Sequence, residues 1–294
     1  MSTITPAERD SNTIIETQLD ARLSALEALA KADVLSYVGP MYPPADDQIK
    51  DAIEAIQTHR RALMVLLDTS GGLVTIAERI ARIFRHHYRR VDFVVPTYAM
   101  SAGTVLVMSG DAIHMDYAST LGPIDPQVRK HEQYVPALGY LEQYQRLIDK
   151  SAAGTLTTAE LAYLIQNFDP AELYQYEQER ELSIALLEEW LVKYKFKNWT
   201  VTRSTKKPVT KKMKVDRANQ IARKLNETKI WHSHARGIPM ELLRRDLNLL
   251  IDDFGADPKS GPAVHAYFRL LQDYQMRRSH YAFVIHTRGR YVGY

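Results

Sequence analysis

The sequence predicts an α/β fold with parallel strands in its first half and a largely helical second half. Three observations carry this. Leu63 to Leu67 is a short apolar run, long enough for a buried strand and too short for a core helix. Leu73, Ile76, Ala77, Ile80, Ile83 and Phe84 then share one helical face, with Glu78, Arg79, Arg82 and Arg85 mostly opposite. Phe93-Val94-Val95, closed by Pro96, is a second short strand. Strand, helix, strand at this spacing is a βαβ unit with parallel strands.

The other elements follow in chain order. Residues 1–13 read as a loose tail. Thr17 to Ala32 is a helix with Leu19, Leu23, Leu26 and Leu29 on one stripe. Val34 to Pro44 reads as irregular, broken by Pro40, Pro43 and Pro44. Gln48 to His59 is a helix with Ile49, Ile53 and Ile56 inward. Val105 to Met108 suggests a buried helix that starts near Ser101, and Ala112 to Met115 a strand carrying His114. Beyond Gln127 the pattern turns helical: Tyr140 to Asp149, a break at Ala153-Gly154, then Thr158 to Asn167 capped by Thr157 with Glu160 at the third position. Ala171 to Tyr194 is a long helix whose ridge is Leu182, Leu186 and Trp190. It either meets a second copy or packs on its own core, and the pattern does not separate the two. Thr202 to Lys214 is a basic linker with Arg203, Lys206, Lys207, Lys211, Lys212 and Lys214 around Pro208. Helices at Val215–Asn226, Met240–Asp252 and Ala263–Met276 and a last strand at Tyr281–His286 complete the chain. The expected division is an N-terminal helical region (1–59), a catalytic core (60–200) and a basic linker with a helical C-terminal region (201–294).

Composition narrows the class. A chain of 294 residues with 45% hydrophobic and 25% charged residues can bury a core of ordinary size. A net charge of +3 does not by itself argue for nucleic acid. The basic linker reads first as solvated, since no aromatic residues interleave it, so a nucleic-acid partner is not expected. The absence of cysteine excludes a thiol nucleophile, a disulfide framework and a Cys-ligated zinc. No apolar run approaches the ~18–20 residues that span a bilayer, and the first residues lack a signal core. The expectation is a cytoplasmic protein without an integral membrane segment. No G-x-G-x-x-G fingerprint is present, and no cofactor is expected.

The chemistry centres on Ser101 in Tyr98-Ala99-Met100-Ser101-Ala102-Gly103-Thr104. Small residues two before and two after the serine make a relaxed G-x-S-x-G elbow, where larger side chains would collide. Ser101 would stand at a helix N-terminus, which favours developing negative charge. The turn Asp68-Thr69-Ser70-Gly71-Gly72 leaves the sheet at the same edge and would bring a glycine N–H close. The competing reading of Ser101 is a simple helix cap. His232 and His234 could hold a metal only with a third ligand from elsewhere, and no metal site is expected. His86-His87 closes a helix, where imidazole suits the dipole.

Ser-Gly-Gly after a strand, then helix, strand and Ala99-Met100-Ser101-Ala102-Gly103-Thr104, resembles the Clp/crotonase superfamily and its serine peptidases. Asp111 to Asp116 and Leu121-Gly122-Pro123-Ile124-Asp125-Pro126-Gln127 resemble the serine dehydrogenase proteinase family, related to signal peptide peptidase A and the Clp protease. The specific match spans about residues 60–130, with weaker likeness around Ala222-Arg223-Lys224-Leu225 and onward to about residue 255. The resemblance implies a spiral of ββα units, a serine peptidase acting on protein or peptide, and homo-oligomers. It also implies an oxyanion hole from the N–H groups of Gly72 and Ala102. Asp125 stands where the Clp protease has its histidine, and reads first as a turn-former between two prolines. Signal peptide peptidase A places a lysine about fifty residues after its serine, which singles out Lys150 as base. The bland reading of Lys150 is a solvated helix-end lysine beside Asp149. A crotonase-like acyl-CoA enzyme, an α/β-hydrolase, and a non-catalytic scaffold with a nucleic-acid- or protein-binding helical region are the alternatives.

Overall fold

A computed structural model describes residues 10–130, 133–202 and 205–294. Most of the expected N-terminal tail and Arg203 of the basic linker lie outside the described residues. The chain runs α1 (Ser11–Ala30), β1 (Asp33–Val38), α2 (Ala45–Glu54), β2 (Ala62–Asp68), α3 (Val74–His87), β3 (Arg90–Val94), β4 (Tyr98–Ala99), α4 (Ala102–Val107), β5 (Ala112–Met115) and β6 (Thr120–Leu121). It continues through β7 (Gln127–Lys130), β8 (Gln133–Pro136), α5 (Ala137–Ala152), α6 (Thr158–Asn167), α7 (Pro170–Trp190), a π-helical turn (Leu191–Lys195), α8 (Lys211–Asn226) and α9 (Thr228–Trp231). It ends with β9 (Ile238–Pro239), α10 (Met240–Asp246), β10 (Asp252–Asp253), α11 (Ser260–Arg277), β11 (Val284–Thr287) and β12 (Arg290–Gly293).

Two compact units emerge: residues 1–121 with 238–294, and residues 122–237. The boundaries expected at 59/60 and 200/201 each fall inside one of these units. The first unit is an α/β core with an open mixed sheet in the order β10-β5-β3-β2-β1-β11-β12. Strands β1, β2, β3 and β5 are parallel, as the βαβ unit requires, and β11 closes antiparallel onto β1. Helices cover both faces, so the central strands read as nearly unbroken apolar runs. One face packs Val34, Val38, Leu66, Val94 and Val284 against Leu19 and Leu23 of α1 and Tyr267 and Leu271 of α11. Alternation along β3 sends Phe93 to the other face, where its ring lies 6.4 Å from that of Phe84 on α3.

Three expectations need correction. The helix expected over Met240–Asp252 stops at Asp246, and Asp252 belongs to β10. Val34 to Pro44 is not irregular throughout: Asp33–Val38 is a fully buried strand in the middle of the sheet. Asp33 is tolerated there because its carboxylate accepts from the Arg60 N–H and the Tyr88 hydroxyl. The last strand is a pair, β11 and β12, rather than a single element.

The second unit is mostly helical. The capping box at Thr157 and Glu160 is present. Helix α7 buries Ile184, Leu186, Leu187 and Trp190, and it packs against α5 and α8 of the same unit. Its ridge is therefore covered by its own chain. Exposed apolar side chains lie instead on α6, which buries no residue and leaves Ile165 73% exposed. Among the described residues, no helix is long and apolar enough to cross a membrane.

Candidate active site

Strand β4 delivers Ser101, and a second small sheet holds β4 in place: β4 pairs parallel with β6, and β6 antiparallel with β9. The turn after β2 runs alongside. Thr69 N–H donates to Tyr98 O at 3.0 Å, and Met100 N–H donates to Thr69 O at 2.9 Å. The two C-terminal strand ends are thus zipped together immediately before the serine.

Ser101 has φ 52° and ψ −120°, and its side chain makes no capping hydrogen bond. An N-cap residue sits in the extended region with its oxygen bonded into the first turn. Ser101 does neither, so the helix-cap reading fails on both counts. A positive φ in a non-glycine residue costs energy that the surrounding structure must hold. The restraint is visible in the glycines. A Cβ on Gly103 would lie 2.4 Å from Thr69 Cγ2, and one on Gly71 would lie 2.8 Å from both Met100 O and Ser101 Cβ. The small residues at 71 and 103 therefore let the β2 turn and the α4 start close around the serine.

Gly71 is the glycine that backs Ser101, and its N–H donates to Thr69 Oγ1 at 3.1 Å. Gly72, at φ 147°, packs on the main chain of Met41, where a Cβ would meet Met41 O at 2.3 Å. Ala102 is the first residue of α4, so its N–H is one that a helix start leaves without an intrahelical acceptor. Gly71, Ser101 and Ala102 lie against one another where β2 and β4 end.

Asp68, the last residue of β2, is buried at the same edge. Burial pushes its carboxyl up to about 6, and its charge in turn raises the Tyr98 phenol. A carboxyl held above its unfolded value of 3.8 binds its proton more tightly in the folded state. Stability therefore falls as pH rises through that window and stays lower above it. The penalty near neutral pH is about 3 kcal/mol. Asp68→Asn is expected to raise the thermal midpoint at about pH 7, with the gain vanishing toward about pH 4. A gain that did not change with pH would show that the charge is not its cause.

The remaining candidates belong to the 122–237 unit. Lys150, near the end of α5, is 34% exposed and ion-paired with Glu160. Glu160 is drawn down to about 2, first by Lys150 and then by the Thr157 N–H. Asp149 accepts from Gln145 Nε2 at 2.8 Å on its own helix. Asp125 is fully buried, and sequence reasoning missed its partner. His234 Nδ1 lies 2.9 Å from Asp125 Oδ1, while Gln127 Nε2 donates to Asp125 Oδ2 at 2.8 Å. Ile124 N–H donates to Leu225 O at 2.9 Å and fixes the Asp125 segment on the end of α8. Trp231 Nε1 donates to Lys224 O at 2.7 Å and anchors the loop that carries His234. Among the described residues, no three His, Asp or Glu side chains gather as a metal site.

Residues 42–168 match the family model of the ClpP-like SDH-type serine proteinases. Two uncharacterized proteins of Methanocaldococcus jannaschii are similar to the chain. One is 29% identical over 50% of this chain and 50% of its own length, the other 34% identical over 48% and 52%. The chain thus spans about half the length of these curated relatives. Among solved structures, a lysine-to-alanine variant of the 1510-N membrane-bound stomatin-specific protease with a substrate peptide covers 88% of this chain and 85% of its own, at 15% identity and a TM-score of 0.45. ClpP1 from Listeria monocytogenes covers 82% and 96%, at 10% identity and a TM-score of 0.41.

Proposed function

We propose that this chain, whose residues 42–168 match the family model of the ClpP-like SDH-type serine proteinases, hydrolyses peptide bonds through a Ser101 acyl-enzyme. The observation that carries this is the strained Ser101 backbone with its hydroxyl unused as a cap. Ser101 Oγ attacks the scissile carbonyl and gives up its proton to a base. The N–H groups of Gly72 and Ala102 stabilise the oxyanion of the tetrahedral intermediate. Collapse expels the amine, which takes the proton back from the base, and water then hydrolyses the ester. The substrate is a protein or peptide, and the proposed compartment is the cytoplasm. Labelling with a fluorophosphonate probe, followed by mapping of the modified residue, tests the assignment. Modification at any serine other than Ser101 would overturn it.

Two proton acceptors enter the proposal. Lys150 follows from the resemblance to signal peptide peptidase A, and it must first leave its ion pair with Glu160 to accept a proton. A second reading is favoured by the His234–Asp125 hydrogen bond. A buried carboxyl group bonded to Nδ1 fixes the tautomer that leaves Nε2 to accept.

The homo-oligomer is also part of the proposal. Its support shifts from α7, which is covered within its own unit, to the exposed apolar side chains of α6. Sedimentation at micromolar concentration should give at least twice the 33.7 kDa of one chain. A monomer mass would remove this part of the reading.

A further inference from the structure

We propose that the described residues 193–202 and 205–224 form a docking surface for an anionic phospholipid bilayer. They hold eleven Lys and Arg and a single acidic residue, Asp216, a net charge of +10. The whole chain carries +3, so the rest of it carries −7. A separation of charge on this scale is a field directed at a partner, not a uniform solvated surface.

The fold gathers these charges. The π-helical turn carries Lys193 and Lys195, and Lys197 follows it. The chain then makes a hairpin, with Val201 bridged to Pro208, Thr202 N–H donating to Lys207 O at 2.9 Å, and Val209 N–H donating to Thr200 O at 2.9 Å. Thr210 caps α8 with its side chain, and Lys211, Lys212 and Lys214 occupy the first turn with no acidic residue. Lys214 Nζ donates to Lys197 O at 3.0 Å, which ties the two basic stretches to one surface. Cations at a helix N-terminus oppose the dipole, and three of them also repel one another. Folding does not ask for that arrangement; an external polyanion would. Among the described residues, Lys206, Lys207 and Lys211 have no carboxylate partner, whereas Lys212 pairs with Asp216.

The same hairpin exposes apolar groups. Val201 is 48% exposed, and Pro208 is exposed beside Lys206 and Lys207. A bilayer interface uses both kinds of group, with ammonium groups at lipid phosphates and apolar side chains at the headgroup–acyl boundary. A nucleic acid would call for arginines at base edges or exposed aromatic rings for stacking. Trp199 is half-buried against Phe196, with ring centroids 5.6 Å apart, and nine of the eleven described cations of the surface are lysine, the others being Arg217 and Arg223. These features favour lipid over nucleic acid.

The test is co-sedimentation of the full chain with vesicles of phosphatidylcholine alone and with about one-third phosphatidylglycerol. Binding is expected only to the anionic vesicles, and it should fall at least about tenfold between ~0.1 M and ~0.5 M salt. Combined Lys206→Glu, Lys207→Glu and Lys211→Glu should abolish it, the glutamine versions should weaken it about tenfold, and Val201→Ser should weaken it at fixed charge. Far-UV circular dichroism and probe labelling at Ser101 should not change, which separates this proposal from the peptidase reading. Equal sedimentation with both vesicle types would overturn the proposal. So would tighter binding to a duplex DNA or RNA oligonucleotide than to anionic vesicles at equal salt, or unchanged binding by the glutamate variant.

Discussion

Ser101→Gly is expected to make the protein more stable and wholly unreactive. The native φ of 52° with ψ of −120° lies where glycine is at ease and other residues are strained by about 1–3 kcal/mol. Releasing even about 1 kcal/mol should raise the thermal midpoint by roughly 2–4 °C in a chain of this size. Ser101→Ala keeps the strain, so its midpoint should match the parent. Both variants should lose fluorophosphonate labelling and peptide hydrolysis to background. A helix-cap serine instead predicts both variants below the parent, with the alanine variant losing about 1 kcal/mol and glycine only a few tenths. The pair of variants therefore separates a serine held for chemistry from one held for folding. A glycine variant no more stable than the parent would remove the argument from strain.

The elbow was legible in the sequence because its constraints are local. Ala99 and Gly103 flank Ser101 within two residues, and Gly71-Gly72 ends an apolar run that can only be a strand. Strand β1 was hidden because burial on both faces gives no alternation, and because Asp33 and Ser36 interrupt the apolar run. The Asp33 carboxylate is satisfied by Arg60 and Tyr88, which lie 27 and 55 residues away. Long-range pairing also hid the setting of the other candidates. Glu160 was legible as the capping partner of Thr157, three residues away, yet it also pairs with Lys150. His234 meets Asp125 across 109 residues of chain. The one signal at hand was the pair of histidines in Trp231-His232-Ser233-His234, which raised a metal site instead.

The second large effect concerns the base, and His234→Gln is expected to reduce Ser101 labelling and turnover by about two orders of magnitude or more. Glutamine keeps a polar side chain that can still hydrogen-bond to Asp125 but cannot accept a proton at neutral pH. Asp125→Asn should produce a loss of similar kind, because an amide oxygen and an amide nitrogen present the wrong pattern to Nδ1 and fix the wrong tautomer. It also tests the turn-former reading of Asp125, under which the amide would be tolerated. On the His234 reading, Lys150→Met should cost less than tenfold in rate, since the Lys150 ammonium is engaged by Glu160. The pH profile adds a readout that a structural role would not move. A histidine base lets labelling level off at lower pH than a lysine base does, since imidazoles as a class titrate below amines. A loss of two orders in Lys150→Met, with full activity in His234→Gln and a profile still rising in alkali, would return the base to Lys150. It would leave the Asp125–His234 bond as an element of folding.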